Sequence, residues 1–228
     1  MPESLCDESA KSPRRTLALL QVLIAHGARD VSESTLHEAL WPDLEGDDAH
    51  RAFEAALHRL RRLLGDSDAI VQKAGSLTID SSKCWIDANA FEWWDRRASD
   101  CPRAERCALS LYRGAFLPGE SAGWALQARE RLRDKFVRIV AKAAACRESS
   151  GAWEEAGALF QRGLDTDPLI EPFYQGLMRC HARQARTTEV ARVYRRMRET
   201  FSVILGVTPS PVSDRIFRET VYPEERHG

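Results

Sequence analysis

The sequence predicts a mainly α-helical chain, a winged helix-turn-helix followed by an all-α, tetratricopeptide-like helical repeat domain. Three observations predict it. Residues 14–84 read as helix, helix, helix and β-hairpin; everything beyond Trp85 carries helical periodicity; and Ala156 and Ala191 stand 35 residues apart, near the ~34-residue period of tetratricopeptide helix pairs. The expected division is a disordered tail at 1–13, a winged helix-turn-helix at 14–84 and a helical domain at 85–228.

The tail is polar, poor in large apolar residues and ended by Pro13. A first helix follows, with Leu17, Leu20 and Ile24 at helical spacing and Gly27 as its stop. Ser32 is placed as the N-cap of a second helix, with Val31 and Leu36 as a hydrophobic staple, Leu36 and Leu40 facing inward, and Trp41-Pro42 at the end. The aspartates of Leu44-Glu45-Gly46-Asp47-Asp48 are expected to cap a third helix that runs to Leu64-Gly65. Ile70–Lys73 and Leu77–Asp80, joined through Ala74-Gly75-Ser76, then read as a short hairpin.

Helices are expected over Phe91–Ser99 and Arg103–Arg113, then an apolar loop, Gly114-Ala115-Phe116-Leu117-Pro118-Gly119. A long helix over Trp124–Ser149 presents Trp124, Ala128, Leu132, Phe136, Ile139, Val140 and Ala143 on one face. Gly151-Ala152-Trp153 opens a helix ending near Leu164, and its partner spans about Glu171 to Ala185. Glu189-Val190-Ala191, Tyr194 and Met197 open the next unit, which closes at Leu205-Gly206. Small residues let paired helices approach closely, and the helices of 91–149 are expected to cap the stack.

The third helix carries the candidate functional residues. Phe53, Leu57, Leu60 and Leu64 form one buried stripe, while Arg51, Ala52, Ala55, Arg59 and Arg62 fall on the opposite face, flanked by His58 and Arg61. Guanidinium forks separated by small alanines suit entry into a DNA groove, where they bond phosphates or guanine edges. The plain alternative is a solvated charged helix face. Lys73, beside the hairpin turn, is a candidate phosphate contact from the wing, with simple exposure as its alternative.

Composition bounds the rest. At 43% hydrophobic and 29% charged, the 228 residues have an ordinary globular balance. No apolar run approaches the ~18 residues of a membrane span, and the N-terminus lacks the apolar core of a secretory signal, so a cytoplasmic protein without membrane partners is expected. The six cysteines form no C-x-x-C pair and have no histidine at zinc-ligand spacing, so reduced, mostly packing thiols are expected and no metal. The formal net charge of −1 argues against unspecific coating of nucleic acid. Residues 1–84 carry 10 cations against 14 acids, and 85–228 carry 23 against 20, so any DNA-binding face must be a local patch.

No Gly-x-Gly-x-x-Gly, Walker loop, His-Glu-x-x-His or Gly-x-Ser-x-Gly occurs, and neither catalysis nor a cofactor is expected. Glu154, Glu155, Asp165 and Asp167 read as helix-start and loop residues. Trp124 and Trp153 open helices at inward positions and are expected in the core. Trp93 and Trp94 cannot both face inward on one helix, so one is expected against a neighbouring domain or partner.

The string Val31-Ser32, Leu36, Ala39-Leu40-Trp41-Pro42 and Ala56-Leu57-His58-Arg59-Leu60-Arg61-Arg62-Leu63-Leu64 resembles the response-regulator-type winged helix. It is more closely similar to the form in antibiotic-pathway regulators, where that domain precedes a bacterial transcriptional activator domain. The second part shares Trp85-Ile86-Asp87-Ala88-Asn89-Ala90-Phe91-Glu92, Leu111-Tyr112-Arg113-Gly114-Ala115-Phe116-Leu117-Pro118-Gly119-Glu120, Asp167-Pro168-Leu169 and Leu205-Gly206-Val207. The resemblance runs from about Arg14 to Ile216. It implies a DNA-binding regulator with the third helix in the major groove of double-stranded DNA, making Arg51, Ala55, His58, Arg59 and Arg62 the contact candidates. It also implies a helical domain for dimerisation, as a homodimer, or for contacts to RNA polymerase or a regulatory protein. Members open with a small antiparallel sheet, where this chain has about 13 polar residues; it reads either as cut from a longer protein or as an incomplete winged helix. A repeat-type interaction scaffold whose winged helix does not bind DNA is the alternative.

Overall fold

The computed structural model describes residues 5–98 and 101–223, with side chains from residue 14 on. Its contacts define two compact units, Met1–Trp93 with Phe116–Leu132, and Trp94–Ala115 with Arg133–Gly228. Ten α-helices and three strands lie among the described residues, the fourth helix, α4, covering Asp87–Ala98.

In the first unit, α1 (Leu5–Ala25) begins well inside the stretch read as a tail; residues 1–4 lie outside those described. Leu5, Glu8, Ala10 and Lys11 are good helix formers, and propensity extends the helix where hydrophobic pattern gives no signal. The inward stripe of α1 also differs from the expected one. Leu19, Val22 and Leu23 are fully shielded, Leu20 and Ile24 lie on the flank, and Leu17 is 49% exposed. Both sets satisfy helical spacing because the second half of α1, from Leu17 to Ala25, is apolar around most of its circumference.

The second helix, α2 (Glu33–Leu40), starts as expected: the Ser32 hydroxyl accepts from the Thr35 amide, and Leu36 and Leu40 are buried. The third, α3 (Gly46–Leu64), ends on Gly65 in the left-handed conformation, with Gly65 N–H donating to the Arg62 carbonyl. Its start departs from expectation. Glu45 occupies the cap without a side-chain bond, and Asp47 and Asp48 lie in the first turn, where their charge favours the helix dipole. Phe53, Leu57 and Leu60 are fully buried and Leu64 is half-buried, as their spacing predicts; each buried side chain of this size contributes about 1.5–3 kcal/mol.

Three rings fix the angle between α2 and α3. Trp41 meets Phe53 edge-on at 6.4 Å between centroids, and His37 lies edge-on to Phe53 at 5.1 Å and to Trp41 at 6.2 Å. The short turn after Leu40 is thereby anchored on the core, with Trp41 only 7% exposed.

The hairpin is β2 (Ile70–Lys73) and β3 (Ser76–Ile79), joined by Ala74 and Gly75 at φ +49° and +71°. Two left-handed residues make a type I′ turn, whose twist matches paired strands. A further strand was not foreseen: β1 (Val31–Ser32) pairs antiparallel with β3, opposite Leu77 and Ser76, giving the order β1-β3-β2.

The same unit holds the Phe116–Glu120 loop and the start of α6 (Gly123–Ser149). Arg129 donates from Nε to the Phe116 carbonyl at 2.9 Å, from Nη2 to the Glu120 carbonyl at 2.8 Å, and also to the Leu117 carbonyl. The Glu120 carboxylate accepts from the Ser121 and Ala122 amides, satisfying donors at the helix start.

The second unit is helical among its described residues. The expected face of α6 is buried from Ala128 to Ala143; Trp124 is only half-buried. In this unit α5 (Pro102–Leu111) is tied to α6 by Glu105, which receives both terminal nitrogens of Arg147 at 2.7 and 3.0 Å. Helices α7 (Trp153–Thr166) and α8 (Glu171–Arg183) interlock reciprocally, Gly163 lying under the Phe173 ring and Gly176 under the Phe160 ring. Trp153 is half-buried beneath the Arg183 guanidinium, 5.5 Å from its ring centre, not in the core.

Helix α9 (Thr187–Leu205) begins 34 residues after α7, in keeping with the repeat. An unforeseen α10 (Pro211–Val221) completes its pair, with Pro211 at the first helical position. Tyr194 stacks on Phe217 at 4.2 Å and donates to Asp214 at 2.6 Å. Among the described side chains Cys180 is buried and Cys84 and Cys107 half-buried, whereas Cys101 and Cys146 are exposed. No described helix is long and apolar enough to cross a membrane.

Candidate nucleic-acid interface

The core stripe of α3 is turned inward, so its opposite face is turned to solvent. Arg51, Ala55, His58, Arg59 and Arg62 are all exposed, and at ~100° per residue they fall within one sector. His58, Arg59 and Arg62 have no hydrogen-bond or ion-pair partner among the described residues. Arg59 and Arg62, three residues apart, repel each other by a few tenths of a kcal/mol, which an anion between them would relieve.

Arg51 differs, because its guanidinium pairs with Asp48 one turn back. Both groups are open to water, with side chains 77% and 64% exposed, and such a pair is worth only ~0.2–0.5 kcal/mol. Arg51 is therefore held weakly and remains available to a stronger anion.

Arg61, read as a flank of this face, is committed elsewhere: its Nε and Nη2 donate to the Ile70 carbonyl at 3.3 and 3.0 Å, clasping α3 to β2. Leu63, 62% exposed at the edge of the face, escaped the pattern because it adjoins the half-buried Leu64.

Strand alternation sorts the hairpin. Ile70, Gln72, Leu77 and Ile79 share one side, and Val71, Lys73, Ser76 and Thr78 the other. Gln72 reaches the helices, donating to Glu33 of α2 at 3.0 Å and to Glu54 of α3 at 3.1 Å. One neutral amide thus engages two carboxylates beside the exposed face of α3. Lys73 is exposed on the outer side, next to the turn. The structure brings the five α3 candidates together and leaves Lys73 on a different surface of the same unit.

Two α-helices held by an aromatic cluster, an exposed cationic face on the second and a three-stranded sheet make up a winged helix-turn-helix in one unit, and helix pairs make up the other. Residues 87–220 match the bacterial transcriptional activator domain, more than half of the chain, and the chain belongs to that family. It is 27% identical over 205 residues to the regulatory protein AfsR of Streptomyces coelicolor, covering 85% of this chain and 20% of AfsR. Its fold is similar to that of Mycobacterium tuberculosis EmbR, solved in complex with a low-affinity phosphopeptide, at a TM-score of 0.62 and 21% identity. That likeness covers 91% of this chain and 59% of the EmbR chain, so this chain spans about a fifth of one relative and three fifths of the other.

Proposed function

We propose that this regulator binds double-stranded DNA with the exposed face of α3 in the major groove, where Arg51, Ala55, His58, Arg59 and Arg62 contact phosphates and base edges, and with Lys73 on a backbone phosphate. Domains at 14–84 and 85–228 divide the work: the first reads DNA, and the second contacts RNA polymerase, a regulatory protein or a second copy in a homodimer, in the cytoplasm. No catalytic step, cofactor or metal enters this function. The carrying observation is that His58, Arg59 and Arg62 share one exposed sector without partners of their own.

A second reading makes the winged helix a passive part of an interaction scaffold. The Arg51–Asp48 pair favours it, as does the excess of acids over cations in residues 1–84. Fluorescence anisotropy with a pool of short duplexes, from roughly 50 to 200 mM salt, separates the two. A sequence preference with a steep salt slope, lost in Arg59→Ala/Arg62→Ala, supports the DNA reading. Absence of binding by the wild-type chain supports the scaffold.

A further inference from the structure

A helix leaves its last carbonyls without donors from its own continuing turn, and at the end of α1 three of them are met locally. Val22, Leu23 and Ile24 accept from the His26, Ala28 and Gly27 amides at 3.0, 2.7 and 2.9 Å. The Ala25 and Gly27 carbonyls are met from far along the chain. Arg131 of α6 donates from Nη2 to the Ala25 carbonyl at 2.8 Å, and Asn89 of α4 donates from Nδ2 to the Gly27 carbonyl at 3.1 Å. Glu92, one turn beyond Asn89, accepts from the Arg131 Nε at 3.2 Å with a side chain only 20% exposed, which aims the guanidinium. A cation at this place also meets the negative end of the α1 dipole.

The other side of the same turn is fixed on the sheet. The Ala28 carbonyl accepts from Ile79 N–H at 2.8 Å, Asp30 N–H donates to the Thr78 hydroxyl at 2.9 Å, and β1 follows at once to pair with β3. Ala28 and Asp30 stand left-handed at φ +60° and +51°, which residues with a Cβ keep only where the surroundings over-determine the backbone. The turn is therefore a rigid bracket, gripped by α4 and α6 on one side and by the hairpin on the other. All of these residues lie in the first unit. Yet Asn89, Glu92 and Arg131 belong to the stretch that matches the activator domain, beyond the 14–84 segment read as the winged helix. Ile86 and Trp124, also beyond that segment, pack on the core of the same unit.

We propose that Asn89 and Arg131, with Glu92 aiming the guanidinium, are positioning residues for DNA binding: they hold the turn after α1, and through it the hairpin against α1 and α3, so that the activator domain supplies part of the DNA-binding unit. This rests on the DNA-binding reading above. None of the three contacts the duplex; each acts through a main-chain carbonyl of the turn. A side chain that serves a distant carbonyl has no local spacing, so neither Asn89 nor Arg131 stands out in the sequence.

The test uses the full chain and labelled duplexes, comparing wild type, Arg131→Ala, Arg131→Lys, Asn89→Ala and, as a control cation farther along α6, Lys142→Ala. Urea denaturation first fixes the stability of each variant, so that binding is compared between folded chains. Arg131→Ala is expected to bind the preferred duplex about tenfold more weakly, as for one lost charge-assisted bond, with the salt slope unchanged because no phosphate contact is lost. Arg131→Lys keeps a donor for the Ala25 carbonyl and should recover part of the loss. Asn89→Ala should cost about threefold, as for a neutral bond, and Lys142→Ala nothing. In hydrogen exchange, Arg131→Ala should speed the Ala28 and Ile79 amides several-fold and leave those of α8 as in wild type. If Arg131→Ala does not fold, Arg131→Lys and Asn89→Ala carry the same comparison. Lowered stability with unchanged affinity makes the grip merely structural and overturns the proposal, while loss of binding in Arg59→Ala/Arg62→Ala keeps the α3 reading intact. A salt slope flattened by about one in Arg131→Ala also overturns it, because the guanidinium would then be a phosphate contact itself. A wild type that binds no duplex overturns the DNA reading and this proposal with it.

Discussion

Replacing Gly176 by alanine sets two opposed effects against each other inside α8. In an ordinary helix interior the change stabilises by up to ~1 kcal/mol, since alanine is the better helix former. At this position a Cβ would lie 2.4 Å from two carbons of the Phe160 ring, about 1 Å inside the normal carbon–carbon separation of ~3.5 Å. The ring has little room to withdraw, being only 4% exposed and packed against Phe173 at 6.0 Å. Overpacking of this kind costs about 1–3 kcal/mol, so the net expectation is destabilisation by about 1–2 kcal/mol, or roughly 3–8 °C in Tm for a domain of this size. Gly157 supplies the internal comparison. A Cβ there would meet Cys180 and Leu177 at 3.6 Å, an ordinary contact, so Gly157→Ala is expected to be neutral or to stabilise by up to ~1 kcal/mol. Urea denaturation followed by far-UV circular dichroism reads both, and Phe160→Leu added to Gly176→Ala should restore part of the loss. If Gly176→Ala were as stable as Gly157→Ala, the steric argument would be wrong.

Three further expectations address other elements. Ala74→Asn should raise stability by about 0.5–1 kcal/mol, because the left-handed Ala74 occupies a type I′ position that asparagine tolerates better; a lowered Tm contradicts this. Burial alone would raise the Glu171 carboxyl, but bonds from the Ser213 hydroxyl and the Ser210 amide outweigh it and hold the group below its usual range. A depressed carboxyl stabilises above its unfolded pKa and loses that contribution as pH falls through the folded value. The stability gap between wild type and Glu171→Gln should therefore shrink from about pH 5 downward, and a gap that widens in acid refutes the assignment. Burial and the nearby Glu148 carboxylate push the Cys180 thiol up to about 12, so alkylation at pH 8 should mark exposed Cys101 and Cys146 in the native chain and Cys180 only on unfolding. Peptide mapping decides, and native labelling of Cys180 at the rate of Cys146 speaks against it.

Much of the fold was legible where one signal acts alone. Ser32 caps α2, Gly65 stops α3, and the stripe of Phe53, Leu57 and Leu60 is buried as its spacing requires. The misses share a cause: local pattern was silent or double-valued. Leu17 and Leu19 are equally apolar, and only tertiary packing selects the second. Two residues, Val31 and Ser32, are too few to announce a strand, and their pairing with β3 is a long-range choice. α10 is the exception to that cause, since Ser210-Pro211 is a readable helix start beyond the Leu205-Gly206 close of the repeat unit. On α3 the exposed face was readable from period alone, whereas the Arg51–Asp48 pair and the commitment of Arg61 to the Ile70 carbonyl depend on rotamers and on a strand nine residues away.

The Arg129 clasp has a consequence for how this chain is rewritten by mutation. Its three acceptors are main-chain carbonyls, of Phe116, Leu117 and Glu120, so the guanidinium senses the route of the loop and is blind to most of the names along it. Pro118 and Gly119 are then replaceable by other turn-forming pairs so long as the carbonyls still converge, whereas Arg129→Lys, with one compact ammonium in place of a fork, leaves the same loop letters without a shared anchor. The vocabulary of that segment can drift while its grammar is held from a distance by a single side chain one helical turn and more away.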